Sequence, residues 1–333
     1  MIISISIFII INIFLIINFN RISKLVNIYD TPDQKLKIHK KKTSLAGGTI
    51  IIFNIFLLIF LDFIFKIGSI ELFKSEKELI SFISILLIFY FLGIYDDKYK
   101  IKPNIKFLFS LLISILYVVT NENILIDNFT ISIYDHRIFL ESYSIPFTVF
   151  CIVVLINSLN FFDGVNGQSL IFFLIMFSYL LIKTFRLEFY FFIIITIIFC
   201  LFLNLKNKMF LGDNGVYAMS VVLITSIIYE HNVYKEFIHA DEIFFLLLLP
   251  GMDLLRLTIF RFIQRKNPFY GDRNHIHHLM IKRFSLINTN IFLIFLSILP
   301  ICLYTIFNLN FYFVFSIFLI FYSLLIKNLL NDK

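Results

Sequence analysis

The sequence predicts an all-α polytopic membrane protein with about 11 transmembrane helices, built as a single domain over residues 1–333. Of its residues, 59% are hydrophobic and only 15% are charged, and the mean hydropathy is +0.91. These values lie far outside the range of soluble domains. The charged residues are gathered in short segments between long apolar runs. Because excess Lys and Arg in such a protein records its topology, the net charge of +7 does not indicate a nucleic-acid-binding protein.

Most of the apolar runs are long enough to cross a bilayer at ~1.5 Å per residue. The predicted helices cover, in chain order, about 2–18, 47–65, 78–94, a run that ends near 119, 146–157, 169–185, 187–203, a run that ends near 229, 242–260, 290–306 and 311–327. The first helix is expected to be retained, because no basic region precedes it and no A-x-A cleavage signal follows it. Residues 120–145 alternate like short strands and predict a small β-hairpin.

Five polar segments interrupt the apolar runs, at 19–46, 95–106, 157–168, 204–215 and 261–289. The chain between successive segments has room for two crossings, so all five are expected on one face of the membrane. That face carries 22 of the 29 Lys and Arg residues when those of the C-terminal tail and Arg256, near the end of a predicted helix, are counted with the five segments. The positive-inside rule then predicts a protein of the inner (cytoplasmic) membrane, with the five segments and the C-terminus in the cytoplasm and the N-terminus and hairpin outside.

The 157–168 segment reads N-S-L-N-F-F-D-G-V-N-G-Q and follows directly on an apolar run. A polar turn accounts well for its N-G pair. It accounts poorly for Asn157, Asn160 and Asp163, which are three residues apart and would lie on one face if the helix continued. We therefore predict that this ridge of amide and carboxylate groups binds a polar ligand at the membrane surface.

Two adjacent carboxylates, Asp96 and Asp97, end the third predicted helix and precede the basic run K-Y-K-I-K-P-N-I-K. One interpretation is an ordinary charged loop end. The other is a metal–phosphate site, since acidic oxygens hold Mg²⁺ and Lys side chains meet phosphate. Adjacent side chains do not face the same way, so the two Asp residues are expected to have different roles. Whether either acts as a general base is open.

Two further Asp residues have both a structural and a functional interpretation. Asp213, in F-L-G-D-N-G at 210–215, is either the N-cap of the next helix or a metal-binding carboxylate between two glycines. Asp253 and Arg256 are an acidic and basic pair at i, i+3 within an apolar run. For this pair the structural interpretation is favoured.

The run His275-Ile276-His277-His278 places three of the seven His residues within four positions, shortly after Arg273. A zinc site would need further His or Cys ligands at matching spacing, which the sequence does not contain. We favour binding of phosphate or sugar hydroxyl groups by His and Arg side chains, with a solvated loop as the alternative.

Taken in order, these motifs resemble those of the polyprenyl-phosphate N-acetylhexosamine-1-phosphate transferases, of the glycosyltransferase family 4 type. The matching segments are K-I-H-K to G-G (37–48), D-D-K to K-P-N-I-K (96–106), N-S-L-N-F-F-D-G-V-N-G (157–167), F-L-G-D-N-G (210–215), P-G-M-D-L-L-R (250–256) and P-F-Y-G-D-R-N-H-I-H-H (268–278). Each motif is weak alone, but six in this order across nearly the whole chain are specific. The H-I-H-H form is similar to the undecaprenyl-phosphate N-acetylglucosamine-1-phosphate transferase branch.

The resemblance implies an enzyme that moves N-acetylhexosamine-1-phosphate, with GlcNAc-1-phosphate favoured, from a UDP-sugar to undecaprenyl or another polyprenyl phosphate. UMP would be released, and the product would start a lipid-linked cell-envelope glycan. Mg²⁺ is the implied cofactor, with Mn²⁺ as a substitute. The expected partners are the UDP-amino sugar, the polyprenyl phosphate and the bilayer, with no nucleic acid. A homodimer is left open, because the uniformly apolar helix surfaces do not indicate one.

The resemblance also implies roles for individual residues. The catalytic residues would be Asp96, Asp97 and Asp213; the metal ligands Asp213 and Asp97; and the substrate-binding residues Asn160, Asp163, Gly164, Phe210, Arg273, His275, His277 and His278. Within the last set, Asn160, Asp163 and Gly164 would hold the nucleotide. Phe210 would lie against the uracil. Arg273 and the histidines would contact the sugar or the diphosphate.

The chain departs from the family pattern at three positions. Val216 stands where Ser is common, and Asn166 stands at the second acidic position of the D-G-x-D-G form. The segment before Phe210 lacks the usual Pro-Ala, which puts the role of Asn204 in doubt. Two other functions are weighed beside the transferase. One is a membrane metal-dependent phosphatase or hydrolase, in which the same side chains would activate water. The other is a transporter, which would need ionisable groups near the middle of the bilayer.

Overall fold

The structure is a computed structural model that describes residues 2–32, 42–68, 72–132, 134–184, 187–234, 239–267 and 274–331. Its helices are α1 (Ile2–Ile17), α2 (Phe19–Val26), α3 (Gly47–Phe65), α4 (Glu76–Tyr99), α5 (Pro103–Thr120), α6 (Ser144–Phe162), α7 (Gln168–Thr184), α8 (Leu187–Leu205), α9 (Gly212–Tyr234), α10 (Ala240–Leu246), α11 (Leu248–Ile263), α12 (Ile276–Ile281), α13 (Leu286–Thr305) and α14 (Phe311–Asn331). Its strands are β1 (Tyr29–Asp30), β2 (Thr43–Ser44), β3 (Asn128–Ile131) and β4 (Tyr134–Phe139). Arg273 and the K-I-H-K motif lie outside the described residues.

The predicted fold class is confirmed, because the described chain is a bundle of apolar helices with only two small sheets. Within the described ranges, eight helices are long and apolar enough to cross a membrane. Two bent pairs, α1–α2 at 73° and α10–α11 at 69°, raise that number to ten if each pair is one span. The shorter α7 has 17 residues. The predicted total of about 11 spans therefore stays a prediction.

Three predicted helices differ from the structure. The helix expected to end near 94 continues as α4 to Tyr99, and the run predicted as one helix at 242–260 is divided into α10 and α11, which meet at 69°. The helix expected to end near 157 continues as α6 to Phe162. Its polar residues are compatible with helix because they bond to their own backbone: Asn157 Nδ2 donates to the Val153 carbonyl oxygen at 2.8 Å. The sequence also did not predict α2, a short helix inside the 19–46 segment. The extension of α6 carries the polar ridge of the 157–168 segment out to the end of the bundle.

Helix α9 is the central helix of the bundle, with 83% of its apolar stretch buried. Its first turn is wedged between α3 and α4. A Cβ at Gly93 of α4 would lie 2.4 Å from Asn214 Cα, and a Cβ at Gly48 of α3 would lie 2.6 Å from the Asn214 carbonyl carbon. Only glycine fits at such distances. These two glycines therefore let α9 begin directly against the end of α4, which brings Asp213 to the acidic pair on that helix.

The two small sheets lie at opposite ends of the bundle. The β1–β2 pair joins Tyr29 to Ser44, and the Ser44 carbonyl oxygen accepts from Phe210 N at 2.9 Å. The 19–46 and 204–215 segments are thereby held together. The predicted hairpin is present at the opposite end as β3–β4, where Asn128 pairs with Phe139.

A buried amide pair attaches α1 to the bundle. Asn12 Nδ2 donates to Asn54 Oδ1 of α3 at 2.7 Å, and Asn54 Nδ2 donates back to Asn12 Oδ1 at 3.0 Å. Both side chains are 1% exposed. Each amide also donates to a carbonyl oxygen of its own helix, Asn12 to Phe8 at 3.0 Å and Asn54 to Ile50 at 3.1 Å, so both are hydrogen-bonded within the apolar surroundings.

Candidate active site

All five polar segments meet at one cavity at one end of the bundle, as predicted from the parity of the crossings. The cavity has a volume of about 470 Å³. Its lining includes at least one residue from each segment, namely Asp30, Asp97, Lys100, Asp163, Gly164, Asn166, Asn204, Asn207, Phe210, Asp213 and His278. The volume is within the range of small-molecule sites, and the lining is rich in groups that bind polar ligands.

Lys106 is the centre of a hydrogen-bonded group of polar side chains beside this cavity. It belongs to the basic run after Asp97, and the sequence alone did not distinguish it from the other lysines of that run. Its Nζ lies 2.6 Å from Asp96 Oδ2 and 2.5 Å from Asp213 Oδ2. It also donates to Asn160 Oδ1 at 3.2 Å, while Asn160 Nδ2 donates to Asp213 Oδ1 at 3.0 Å. Residues from α4, α5, α6 and α9 therefore form one hydrogen-bonded group in which a single ammonium is shared by two carboxylates.

Asp97 has a different environment from its neighbour, as expected for adjacent residues. Its carboxylate accepts from the backbone N–H groups of Asp213 and Asn214, each at 3.1 Å, and from the Asn214 side chain. It therefore caps the N-terminus of α9, where N–H groups lack partners within the helix. The interpretation of Asp213 as the N-cap is replaced, since α9 begins at Gly212 and Asp97 from α4 supplies the capping oxygens.

The side-chain oxygen atoms that surround the Lys106 ammonium are of the kind that bind a hard divalent cation. Among the residues that the structure describes, no three His, Cys, Asp or Glu side chains form a group that could hold a metal ion by themselves. Mg²⁺ does not require one, because it is commonly bound by one or two carboxylates together with substrate phosphates and water. Asp96 and Asp213 already share one cation, the Lys106 ammonium, and the Asn160 amide oxygen completes an all-oxygen set.

Asp163 lines the cavity just past the end of α6. It accepts from Ser169 Oγ at 2.6 Å, and burial raises its pKa to about 7, with a smaller contribution from the nearby charge of Asp213. A carboxyl group with this pKa can gain or lose a proton near neutral pH. The proposed nucleotide-binding role of Asp163 stays a prediction.

Asn204, whose role the missing Pro-Ala before Phe210 put in doubt, holds two of the segments together. Its Oδ1 accepts from Gly167 N at 2.6 Å, and its Nδ2 donates to the Met209 carbonyl oxygen at 3.0 Å. Sequence reasoning could not assign this role, because both partners are backbone groups. Asn290 of α13 supports the same turn by donating to the Asn166 carbonyl oxygen at 2.8 Å.

The three histidines occupy different positions. His278 lines the cavity. His277 is 1% exposed, and burial lowers its pKa well below the usual value, so its ring is neutral at pH 7. It lies against Gly164, where an added Cβ would be 1.7 Å from its Nε2. His275 is 5% exposed, and its Nδ1 lies 2.9 Å from Asp253 Oδ2. The predicted Asp253–Arg256 pair is present, at 2.7 Å.

These observations define a multi-pass membrane protein with a cavity at one end of its bundle, beside carboxylates, a shared lysine and histidines. A model described as glycosyl transferase family 4 matches residues 79–231, from α4 to α9, which is just under half of the chain. This match agrees with the family that the motifs resemble.

Named relatives align with most of the chain. A probable undecaprenyl-phosphate N-acetylglucosaminyl 1-phosphate transferase of Bacillus subtilis (strain 168) is 26% identical over 78% of this chain and 71% of its own length. Undecaprenyl-phosphate alpha-N-acetylglucosaminyl 1-phosphate transferases of Thermotoga maritima and Escherichia coli (strain K12) are 27% and 23% identical. The alignments cover 88% and 79% of this chain and 86% and 71% of the relatives. The hydrolase and transporter alternatives are not favoured by these likenesses.

Proposed function

We propose that the protein transfers GlcNAc-1-phosphate from UDP-GlcNAc to undecaprenyl phosphate and releases UMP. The observation that carries this proposal is the group formed by Asp96, Lys106, Asn160 and Asp213 beside a cavity of about 470 Å³. It supplies the charge neutralisation and positioning that phosphoryl transfer requires. The names of the relatives support the choice of donor and acceptor.

In the proposed reaction, an oxygen of the lipid phosphate attacks the β-phosphorus of the UDP-sugar. A new P–O bond forms, the bond between the β-phosphorus and the oxygen shared with UMP breaks, and UMP leaves with that oxygen. The acceptor phosphate is already anionic near neutral pH, so it needs no strong base. Lys106 would counter its charge and hold it in line with the donor.

Mg²⁺ is the proposed cofactor, with Mn²⁺ as a substitute, and Asp213 is its proposed ligand. When bound, the metal would neutralise charge on the diphosphate. The sequence assigned Asp97 as a second ligand, and that assignment stays a prediction. Both acidic residues are candidates for this position: Asp97 lines the cavity but accepts three hydrogen bonds from the start of α9, whereas Asp96 shares Lys106 with Asp213.

The proposed location is the inner membrane, with the cavity on the cytoplasmic face, the N-terminus outside and the C-terminus inside. Two points support this orientation. The five polar segments, together with Arg256 and the C-terminal tail, carry 22 of the 29 Lys and Arg residues, and a nucleotide-activated donor is available on the cytoplasmic side. The homodimer stays a prediction that a single chain does not test.

The test uses purified protein in lipid nanodiscs with Mg²⁺, undecaprenyl phosphate and a panel of UDP-sugars. We expect UMP release only when both substrates are present, and mass spectrometry should find a lipid-linked diphosphate sugar. Asp213→Asn is expected to abolish the reaction without loss of folding. Free sugar phosphate or inorganic phosphate in place of the lipid product would refute the transferase and support a hydrolase. Full activity of Asp213→Asn would refute the metal assignment.

A further inference from the structure

Asp253 is a buried anion that the proposed reaction does not use directly. It lies on α11, and its side chain is 3% exposed. Its Oδ1 accepts from Arg256 at 2.7 Å and from the Tyr322 hydroxyl of α14 at 3.0 Å. The Arg256 guanidinium also donates to the Asn274 carbonyl oxygen at 2.6 Å. A buried carboxylate is stable here because it is paired and fully hydrogen-bonded.

The same carboxylate holds the start of the histidine segment. Its Oδ1 accepts from Ile276 N at 3.2 Å, and its Oδ2 lies 2.9 Å from His275 Nδ1. A carboxylate accepts but does not donate, so His275 must carry a proton on Nδ1. Both the backbone and the ring of this segment are therefore fixed by one residue of α11.

From His275, stacked rings extend toward the end of α6. The rings of Phe161 and His275 are 5.8 Å apart with 21° between their planes, and those of His275 and His277 are 5.4 Å apart with 6° between their planes. His277 then lies in edge contact with His278, with centroids 4.3 Å apart. Of the three histidines only His278 lines the cavity. The two buried rings therefore connect the Asp253 anchor to the histidine that lines the cavity.

We propose that Asp253 and Phe161 are positioning residues, which set the position of His278 against the donor in the cavity by holding the stacked rings of His275 and His277. The three histidines have unequal roles: His278 contacts the donor, and the other two position it. This inference rests on the proposed function for its choice of donor. The stack ends at His278 in the cavity that is proposed to hold the donor. A change in the stack should therefore weaken binding of the UDP-sugar and leave binding of the lipid phosphate unchanged.

The test compares Asp253→Asn and Phe161→Leu with the wild type and with Glu242→Gln. Glu242 is a matched control, because it is also a buried carboxylate, 6% exposed, that pairs with a basic side chain, Lys183 at 2.7 Å, and this pair lies at the opposite end of the bundle. Each protein is assayed in nanodiscs for the KM of UDP-GlcNAc, the KM of undecaprenyl phosphate, kcat and the melting temperature.

Asp253→Asn and Phe161→Leu are each expected to raise the KM for UDP-GlcNAc about tenfold, the lower end of the effect known for partners that orient metal-binding histidines. The KM for the lipid should not change. Glu242→Gln should lower only the melting temperature. If the two variants match Glu242→Gln, or if both KM values rise together, the positioning role is refuted. Phe161→Leu decides the question if Asp253→Asn does not fold.

Equilibrium binding of UDP-GlcNAc, measured without the lipid, separates this inference from the proposed function. Wild-type protein that binds the nucleotide sugar but releases no UMP would refute the transferase. The positioning role would then be judged by whether Asp253→Asn binds about tenfold more weakly than wild type. Equal binding by the two proteins would refute it.

Discussion

Gly164→Ala offers a direct test of the histidine packing. The added Cβ would lie 1.7 Å from His277 Nε2, whereas non-bonded heavy atoms are most stable about 3.5 Å apart. The His277 ring would therefore have to move by roughly 1.8 Å. It has no free space in which to do so, because it is 1% exposed and stacked on His275. The substitution must therefore either displace the histidine segment or strain the packing around it.

Overpacking of this kind costs about 1–3 kcal/mol. If the segment moves away from the cavity, that energy appears as a ~5- to 150-fold loss in donor affinity. If the segment stays in place, it appears as a lower melting temperature. We therefore expect a loss of kcat/KM for UDP-GlcNAc, a loss of thermal stability, or both. Gly251→Ala in α11 is the matched control, because an added Cβ there has no heavy atom within 4 Å.

A double-mutant cycle with His277→Ala, read as melting temperature, isolates the contact. Removing the ring should make the added Cβ at Gly164 nearly neutral, which predicts a coupling energy within the ~0.5–3 kcal/mol found for residues in contact. Additive effects of the two substitutions would refute the reasoning, as would wild-type kinetics and stability in Gly164→Ala alone.

Three further predictions concern other parts of the structure. Burial raises the pKa of Asp163 from 3.8 to about 7, so its ionisation destabilises the folded state as the pH rises through this interval. Asp163→Asn should therefore have a higher melting temperature than wild type at pH 8. A difference in melting temperature that does not shrink toward pH 4 would contradict this prediction. Asn204→Ala should lose about 1–3 kcal/mol of unfolding free energy, since Gly167 N is left without its acceptor, and Asn204→Asp, which keeps that acceptor, should lose less in the same denaturation assay. Asn12→Leu should lower the free energy of unfolding by up to ~1.7 kcal/mol. Adding Asn54→Leu should restore part of that loss. A further fall in melting temperature in the double variant would show that the two amides are not coupled.

The fold could be predicted because the bilayer makes the sequence signal simple. A spanning helix needs a long apolar run, and polar backbone must lie outside it. The boundaries were less certain where a helix carried polar residues past its apolar part. Asn157 illustrates this, because its side chain bonds to Val153 of its own helix and lets α6 continue. Nothing in its identity distinguishes that state from the start of a loop.

The candidate site could be predicted only in part. Parity brought the five segments to one face, but it did not indicate which side chains meet. Lys106 is one of four lysines in its segment, and only the packing of α5 against α4 and α9 selects it as the partner of Asp96 and Asp213. Likewise, the sequence contains nothing that distinguishes a capping Asp97 from a metal-binding one, since the acceptor is chosen by the position of α9.

The positions of the glycines nevertheless encode part of the site in the sequence. The chain has only ten glycines among 333 residues, so each one retained is informative. Gly48 and Gly93 allow α9 to approach α3 and α4, and Gly164 admits His277. Gly212 takes a φ of 71° at the turn that Asp97 caps. The apolar residues of the helices can exchange with one another at small cost, whereas these glycines cannot gain a Cβ without moving a polar group of the site. The positions that tolerate substitution least should therefore be the glycines that other groups approach most closely, rather than the most deeply buried apolar side chains.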